Sequence, residues 1–198
     1  MATVCLIAAI GFALADWVAV ARRWQQLEYL AKPAALGFLL LYAALGAHAS
    51  WYLIAALALS LLGDVYLMLP DRLFSAGLGA FLLAHLAYIA TFDATPQARA
   101  IWFTLVVAAS VPLALRIIRG VPQAPLRVGV ATYMAVISLM VASAIASGHL
   151  VAAVGALLFL LSDSLIAVNR FVSPFPGAPL AIIVSYHAAQ LLLVAALR

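Results

Sequence analysis

Residues 57–70 read LALSLLGDVYLMLP, apolar throughout except for Ser60, Gly63, Asp64 and Tyr66. A run of this kind sits in lipid or inside a fully buried helix, and Asp64 falls within it. A charged side chain at the centre of a membrane helix costs about 2.5–3.5 kcal/mol on insertion scales. That cost requires a compensating role, so this stretch points both to the fold and to the place where chemistry is to be sought.

The rest of the chain has the same character. Of 198 residues, 69% are hydrophobic and 8% are charged, against about 25% charged in a soluble domain. The fold class expected is an all-α integral membrane protein. Apolar runs of about 20 residues, enough to cross a hydrocarbon core of about 30 Å, predict eight transmembrane helices. They fall near 2–20, 33–48, 50–69, 73–92, 100–118, 127–146, 149–169 and 178–197, forming one transmembrane domain over 1–198. The breaks LPDR, DATPQAR, RGVPQAPLR and NRFVSPFPG collect prolines and charges, whereas helices two and three are parted only by GAHAS.

The first helix is read as retained rather than cleaved, since nothing basic precedes it and ADWVAVARRW is a poor cleavage region. Cys5 is the only cysteine, so it makes no internal disulfide and has no thiolate partner for a metal. The pI near 9.6 has a simpler source than nucleic-acid binding. Eight helices put Arg22, Arg23, Lys32, Arg72, Arg116, Arg119, Arg127 and Arg170 on one face and leave Arg99 and Arg198 for the other. The positive-inside rule then predicts a multi-pass protein of a bacterial-type inner membrane with both termini away from the cytoplasm. Oligomeric state is not encoded in these features.

Two segments repeat a polar element: LSLLGDVYLM at 59–68 and LFLLSDSLIA at 158–167 each place a small residue and then Asp after an apolar run. Each of these helices is followed by one with a central histidine, His85 in FLLAHLAYIA and His187 in VSYHAAQLLL. A four-plus-four repeat is expected, with Asp64 and Asp163 at one depth, about 20 Å along their helices at about 1.5 Å per residue. Ser60 stands one turn before Asp64, and Tyr88 and Gln190 stand three residues after His85 and His187, so polar groups share stripes. Alanines at 76, 80 and 84, and at 152 and 156, allow close helix approach. Asp16, beside Arg22 and Arg23, is read as interfacial, with a place in the same polar interior as the alternative, Trp17, Trp24 and Tyr29 as aromatic anchors, and Arg116 and Arg119 as topology signals. A membrane histidine also serves as an interhelical hydrogen bonder.

Four motifs, YLAKP at 29–33, SLLGDVYLML at 60–69, GLGAFLLAHLAYI at 77–89 and LLSDSLIAVNRF at 160–171, stand in the order and spacing of a known family. Through them the chain resembles the YhhN-like lysoplasmalogenases, with an alanine at position 31 where members often carry a hydroxyl residue. The resemblance implies eight membrane helices and hydrolysis of the vinyl ether bond of lysoplasmalogens to a fatty aldehyde and a glycerophospho-alcohol. It also implies that Tyr66, His85, Asn169 and Arg170 line the site, and that Lys32 with Arg170 holds the lipid phosphate.

The residues fit that chemistry on their own terms. Protonating the β-carbon of a vinyl ether gives an oxocarbenium ion, which water captures as a hemiacetal that collapses. The reaction needs an acid, an anion and a water, the division of labour of paired carboxylates in glycosidases. Asp64 and Asp163 are the catalytic candidates, expected within about 10 Å of each other. Tyr88 and His187 join the substrate-binding set through their stripes. No cofactor and no metal are called for, and the partners expected are a lysophospholipid substrate and membrane lipids. Two other readings use the same residues. One is a metal-dependent intramembrane lipid hydrolase with His85, His187, Asp64 and Asp163 as ligands, although no HExxH-type spacing exists. The other is a small proton-coupled transporter.

Overall fold

A computed structural model describes residues 1–47, 50–69 and 71–198, with the Asp71 side chain left aside. All eight spans are present as helices: α1 (Ala2–Arg22), α2 (Gln25–Ala44), α3 (Trp51–Met68), α4 (Phe74–Thr91), α5 (Pro96–Gly120), α6 (Ala124–Ala146), α7 (Leu150–Phe171) and α8 (Ala178–Leu197). A 3-10 turn at Asp71–Leu73 leads into α4. All eight are long and apolar enough to cross a membrane, and no strand occurs among the described residues. A span in lipid must satisfy its own backbone groups, which an α-helix does within the segment. The protein is a multi-pass membrane protein. Two sequence features lie in part outside the described residues: His48 and Ala49 of the GAHAS break, including the expected end of helix two at 48, and Pro70 of LPDR.

The helix boundaries follow local chemistry. Ser50 caps α3 by accepting from the Tyr52 N–H at 3.3 Å, and Thr95 caps α5 by accepting from Ala98 N–H at 3.2 Å with Pro96 in the first turn. Helix α5 therefore starts four residues before the expected 100. Helix α2 differs more, beginning at Gln25 rather than 33. The sequence reading treated Pro33 as a helix start, but Pro33 lies inside α2, where membrane helices tolerate proline better than water-soluble ones. The chain turns from α1 to α2 through Arg23 in the left-handed conformation (φ 58°), with Trp24 N–H donating to Ala19 O at 2.8 Å. This tight turn replaces the twelve-residue loop expected between 20 and 33, and Lys32 becomes a helical residue.

The chain forms two compact units, Met1–Ala87 with Leu197–Arg198, and Tyr88–Ala196. In the first, α1 and α2 pack along their length as an antiparallel hairpin and α2 packs on α3. Ala13, Ala19, Ala31, Ala35 and Ala43 are buried, the small side chains that let membrane helices approach. Arg198 lies over the Tyr42 ring at 3.9 Å and ties the chain end to α2. In the second, α5 packs on α6, and α6 and α5 on α7. At Gly120 a Cβ would collide with the Phe171 carbonyl, so the end of α5 meets the end of α7 backbone to backbone.

Candidate active site

In the first unit, Lys32 Nζ of α2 lies 3.1 Å from Asp64 Oδ1 of α3. The Asp64 side chain is 2% exposed and that of Lys32 15%. The pair offsets part of the cost of each charge and makes a charge-assisted hydrogen bond. Lys32 is therefore ion-paired with Asp64 within the first unit.

Asp16 requires a correction. It is not interfacial but fully buried. Phe12 of α1 stacks on Phe38 of α2 with ring centroids 5.5 Å apart, which fixes the register of the hairpin. One turn along α1 from Phe12, in an antiparallel pair, brings Asp16 level with the first half of α2, where Ala31 and Ala35 are buried. Asp16 accordingly lies within electrostatic reach of Lys32, Glu28 and Asp64. Sequence proximity to Arg22 and Arg23 had suggested a surface role. The signal that would have corrected it is the spacing of buried alanines at 9, 13 and 19 around it.

The residue before Asp64, Gly63, receives the Phe81 ring of α4, since a Cβ there would lie 2.6 Å from it. His85, one turn beyond Phe81, is fully buried, as is Ser60 on the Asp64 stripe. Tyr66 is half-buried. Tyr29, Pro33, Val65, Met68 and Leu69 line an apolar groove of about 510 Å³ between α2 and α3.

In the second unit, Asp163 Oδ2 of α7 accepts a hydrogen bond from the Tyr133 hydroxyl of α6. Tyr133 is buried and Asp163 half-buried. Sequence reasoning missed Tyr133, although it is the single tyrosine of α6. Ser162, the residue before Asp163, donates to Ile182 O of α8 at 3.0 Å. Tyr88 donates to Gln190 Oε1 at 2.5 Å, and Gln190 Nε2 donates to Tyr186 at 3.3 Å. Phe159 sets its edge against both tyrosines, and buried His187 lies beside Tyr186. Asn169 Oδ1 accepts from Phe175 N–H at 3.3 Å and so ties down the α7–α8 loop, while Arg170 is exposed at the end of α7.

The two Asp settings match position by position. Each Asp is the fourteenth residue of its helix, counted from Trp51 and from Leu150. Each is held by a side chain from the preceding helix, Lys32 on α2 and Tyr133 on α6, and the small residue before each meets the following helix, at Phe81 and at Ile182. This internal correspondence supports the four-plus-four repeat at the level of contacts within each unit. The two printed contacts differ in charge, an ammonium at Asp64 and a hydroxyl at Asp163. Among the described residues, no three His, Cys, Asp or Glu side chains stand together as a metal-holding group.

The model of the YhhN family matches residues 27–197. Lysoplasmalogenase TMEM86B of Homo sapiens is 36% identical over 138 residues, covering 70% of this chain and 59% of the relative. Lysoplasmalogenase of Mycobacterium bovis is 34% identical over 161 residues, 76% of this chain and 61% of the relative. Lysoplasmalogenase TMEM86A of Homo sapiens is 32% identical over 169 residues, 79% of this chain and 67% of the relative. The chain thus spans about three fifths of the length of the first two. No solved structure matches it. The family match takes in the Lys32–Asp64 pair, the Tyr133–Asp163 pair and both buried histidines, and on that ground the chain belongs to the YhhN family.

Proposed function

We propose that this protein is a membrane hydrolase that cleaves the vinyl ether bond of a lysoplasmalogen, with Asp64 and Asp163 as its paired carboxylates. The observation that carries the reading is the pair of matched Asp settings, one with an ammonium and one with a hydroxyl, in a chain whose relatives bear the name lysoplasmalogenase. An ammonium in contact selects the anionic carboxylate, so Asp64 serves as the anion and base. Asp163 has a neutral partner and serves as the acid.

Asp163 gives its proton to the β-carbon of the vinyl ether, and the electron pair of the double bond forms the new C–H bond. The resulting oxocarbenium ion is stabilised by the Asp64 carboxylate, which then takes a proton from the attacking water. The hemiacetal collapses to a fatty aldehyde and a glycerophospho-alcohol. The reading requires both carboxyls to reach one substrate. Because Lys32 is committed to Asp64, the lipid phosphate falls to exposed Arg170. Tyr66, His85, Tyr88 and His187 orient substrate or water, and Asn169 positions the loop beside Arg170. The bias of cations toward the odd-to-even loops supports an inner-membrane orientation with both described ends outside the cytoplasm.

The test is incubation of purified protein with a lysoplasmalogen and with its saturated alkyl ether counterpart. Aldehyde from the first alone is expected, since a saturated ether has no carbon–carbon double bond to take up the proton. Aldehyde from neither overturns the reading. Loss of activity with a chelator would instead favour a metal hydrolase, and proton-driven uptake into vesicles without product would favour a transporter.

A further inference from the structure

Ser60 is a fully buried hydroxyl that the proposed reaction leaves without a task. It is the tenth residue of α3 and stands one turn before the buried Asp64. In other helices of this chain, Thr104, Ser110, Ser138 and Ser185 each donate to the carbonyl four residues back. Ser60 does not. Its Oγ has no hydrogen-bond partner among the described residues, neither the Ala56 carbonyl nor the Asp64 carboxylate. A hydroxyl enclosed in that state is unfavourable, and in native proteins such a group meets a bound molecule. Ser143 shares the state, but in a helix that carries no carboxylate.

The surroundings of Ser60 define that molecule. Side chains four residues apart on a helix have Cβ atoms about 5–6 Å from each other, a gap that one water spans with two hydrogen bonds of about 2.7–2.8 Å. Gly63, on the same face, receives the Phe81 ring, which borders the gap with an apolar surface. Asp64 takes the Lys32 ammonium on Oδ1 at 3.1 Å. An ionised carboxylate has about four acceptor sites, so the ion pair and a water are compatible. A buried water needs at least about two polar partners, and Ser60 and Asp64 supply them. We propose that Ser60 Oγ and the Asp64 carboxylate hold one water between them, and that Ser60 is the positioning residue for the water that attacks the oxocarbenium ion.

The internal repeat sets the two carboxyls apart at this position. The tenth residue of α7, in the place of Ser60, is Phe159, fully buried and edge-on to Tyr88 and Tyr186 at centroid distances of 6.3 and 5.4 Å. An apolar ring one turn before Asp163 offers a water no partner. The catalytic part of the proposal rests on the function proposed above and places the water at the base, Asp64. With one hydrogen directed to Asp64 and the other to Ser60 Oγ, the water keeps a lone pair for carbon. On attack its oxygen forms the C–O bond, one O–H bond breaks, and that proton forms an O–H bond on Asp64. Ser60 neither gains nor loses a proton.

The experiment uses the full chain in lipid nanodiscs and reads two quantities. One is the infrared O–D stretch of bound water in deuterated solvent, recognised by its shift when the solvent carries heavy oxygen. The other is the product mixture from a lysoplasmalogen when methanol is added beside water. Methanol captures the same ion: its oxygen bonds to carbon, its hydroxyl proton passes to Asp64, and a mixed acetal forms where water gives aldehyde. Ser60→Ala keeps α3, since alanine is the strongest helix former. It should lose one water band that the wild type shows and raise the share of acetal. It should also lower kcat about ten-fold, the scale of one hydrogen bond, with KM nearly unchanged. Ser143→Ala removes a hydroxyl as deeply buried and should leave turnover and acetal share as in the wild type. No difference in water bands between wild type and Ser60→Ala overturns the proposal, as do wild-type turnover and acetal share in that variant. Loss of the band with no aldehyde from any form keeps the water site and removes the hydrolase reading.

Discussion

At the residue scale, the surroundings of the two Asp residues lead to different expectations for the same substitution. Asp64→Asn and Asp163→Asn should each lower aldehyde release at least about 100-fold, the lower end of what a positioned acid or base contributes. The double variant should be little worse than either single one, because groups that serve one turnover are not additive. A double loss equal to the product of the singles would separate their roles. Stability should distinguish them as well. Asp163→Asn keeps a side-chain oxygen for the Tyr133 hydroxyl, so its melting temperature should hold. Asp64→Asn removes the partner of a buried ammonium, a loss that costs about 3–5 kcal/mol when nothing replaces it. Tyr133→Phe removes only a hydroxyl and should reduce turnover about ten-fold, equivalent to about 1.4 kcal/mol, with little change in melting temperature. Normal turnover in that variant would make the Tyr133–Asp163 bond purely structural.

At the scale of elements, close backbone approach governs what can change. The end of α5 has no space for a side chain at Gly120, because the Phe171 carbonyl occupies it and a backbone atom cannot rotate away. Gly120→Ala should therefore destabilise by about 1–3 kcal/mol, the usual cost of overpacking, read as a lower thermal midpoint in nanodiscs. Its effect on turnover should follow the displaced end of α7, which carries Asn169 and Arg170. Gly79 and Gly11, where a Cβ meets nothing within 4 Å, are the controls and should accept alanine. The extended α2 shows how much a boundary matters. With α2 starting at 33, Lys32 belongs to a loop and looks like a phosphate holder; with the helix starting at Gln25, the same side chain faces α3 and pairs with Asp64.

At the scale of the whole molecule, the arrangement of cations among the loops leads to one experiment. With Arg22, Arg23, Arg72, Arg119 and Arg170 at or beside odd-to-even connections, a cysteine placed at residue 198 of a chain with Cys5 replaced should react with an impermeant thiol reagent added to intact cells. Labelling only after permeabilisation would reverse the orientation. The charge bias acts during insertion and is counted over short loops, so it follows from connectivity alone.

The number and order of the membrane helices were legible in the sequence because each span in lipid must satisfy its own backbone, a demand met within about 20 consecutive apolar residues. The Asp repeat was legible for a related reason: an ionisable residue in such a run is costly enough to stand out. Its partners were not. Helices that are apolar nearly all round carry little record of which side faces a neighbour, so nothing local indicated that Lys32 turns to Asp64 or that Tyr133 reaches Asp163. Those pairings depend on helix rotation and register, fixed by contacts between distant segments such as Phe12 on Phe38 and Phe81 on Gly63. The sequence determined that two carboxylates had to sit within apolar helices, and the tertiary structure decided which of them meets an ammonium and which a hydroxyl.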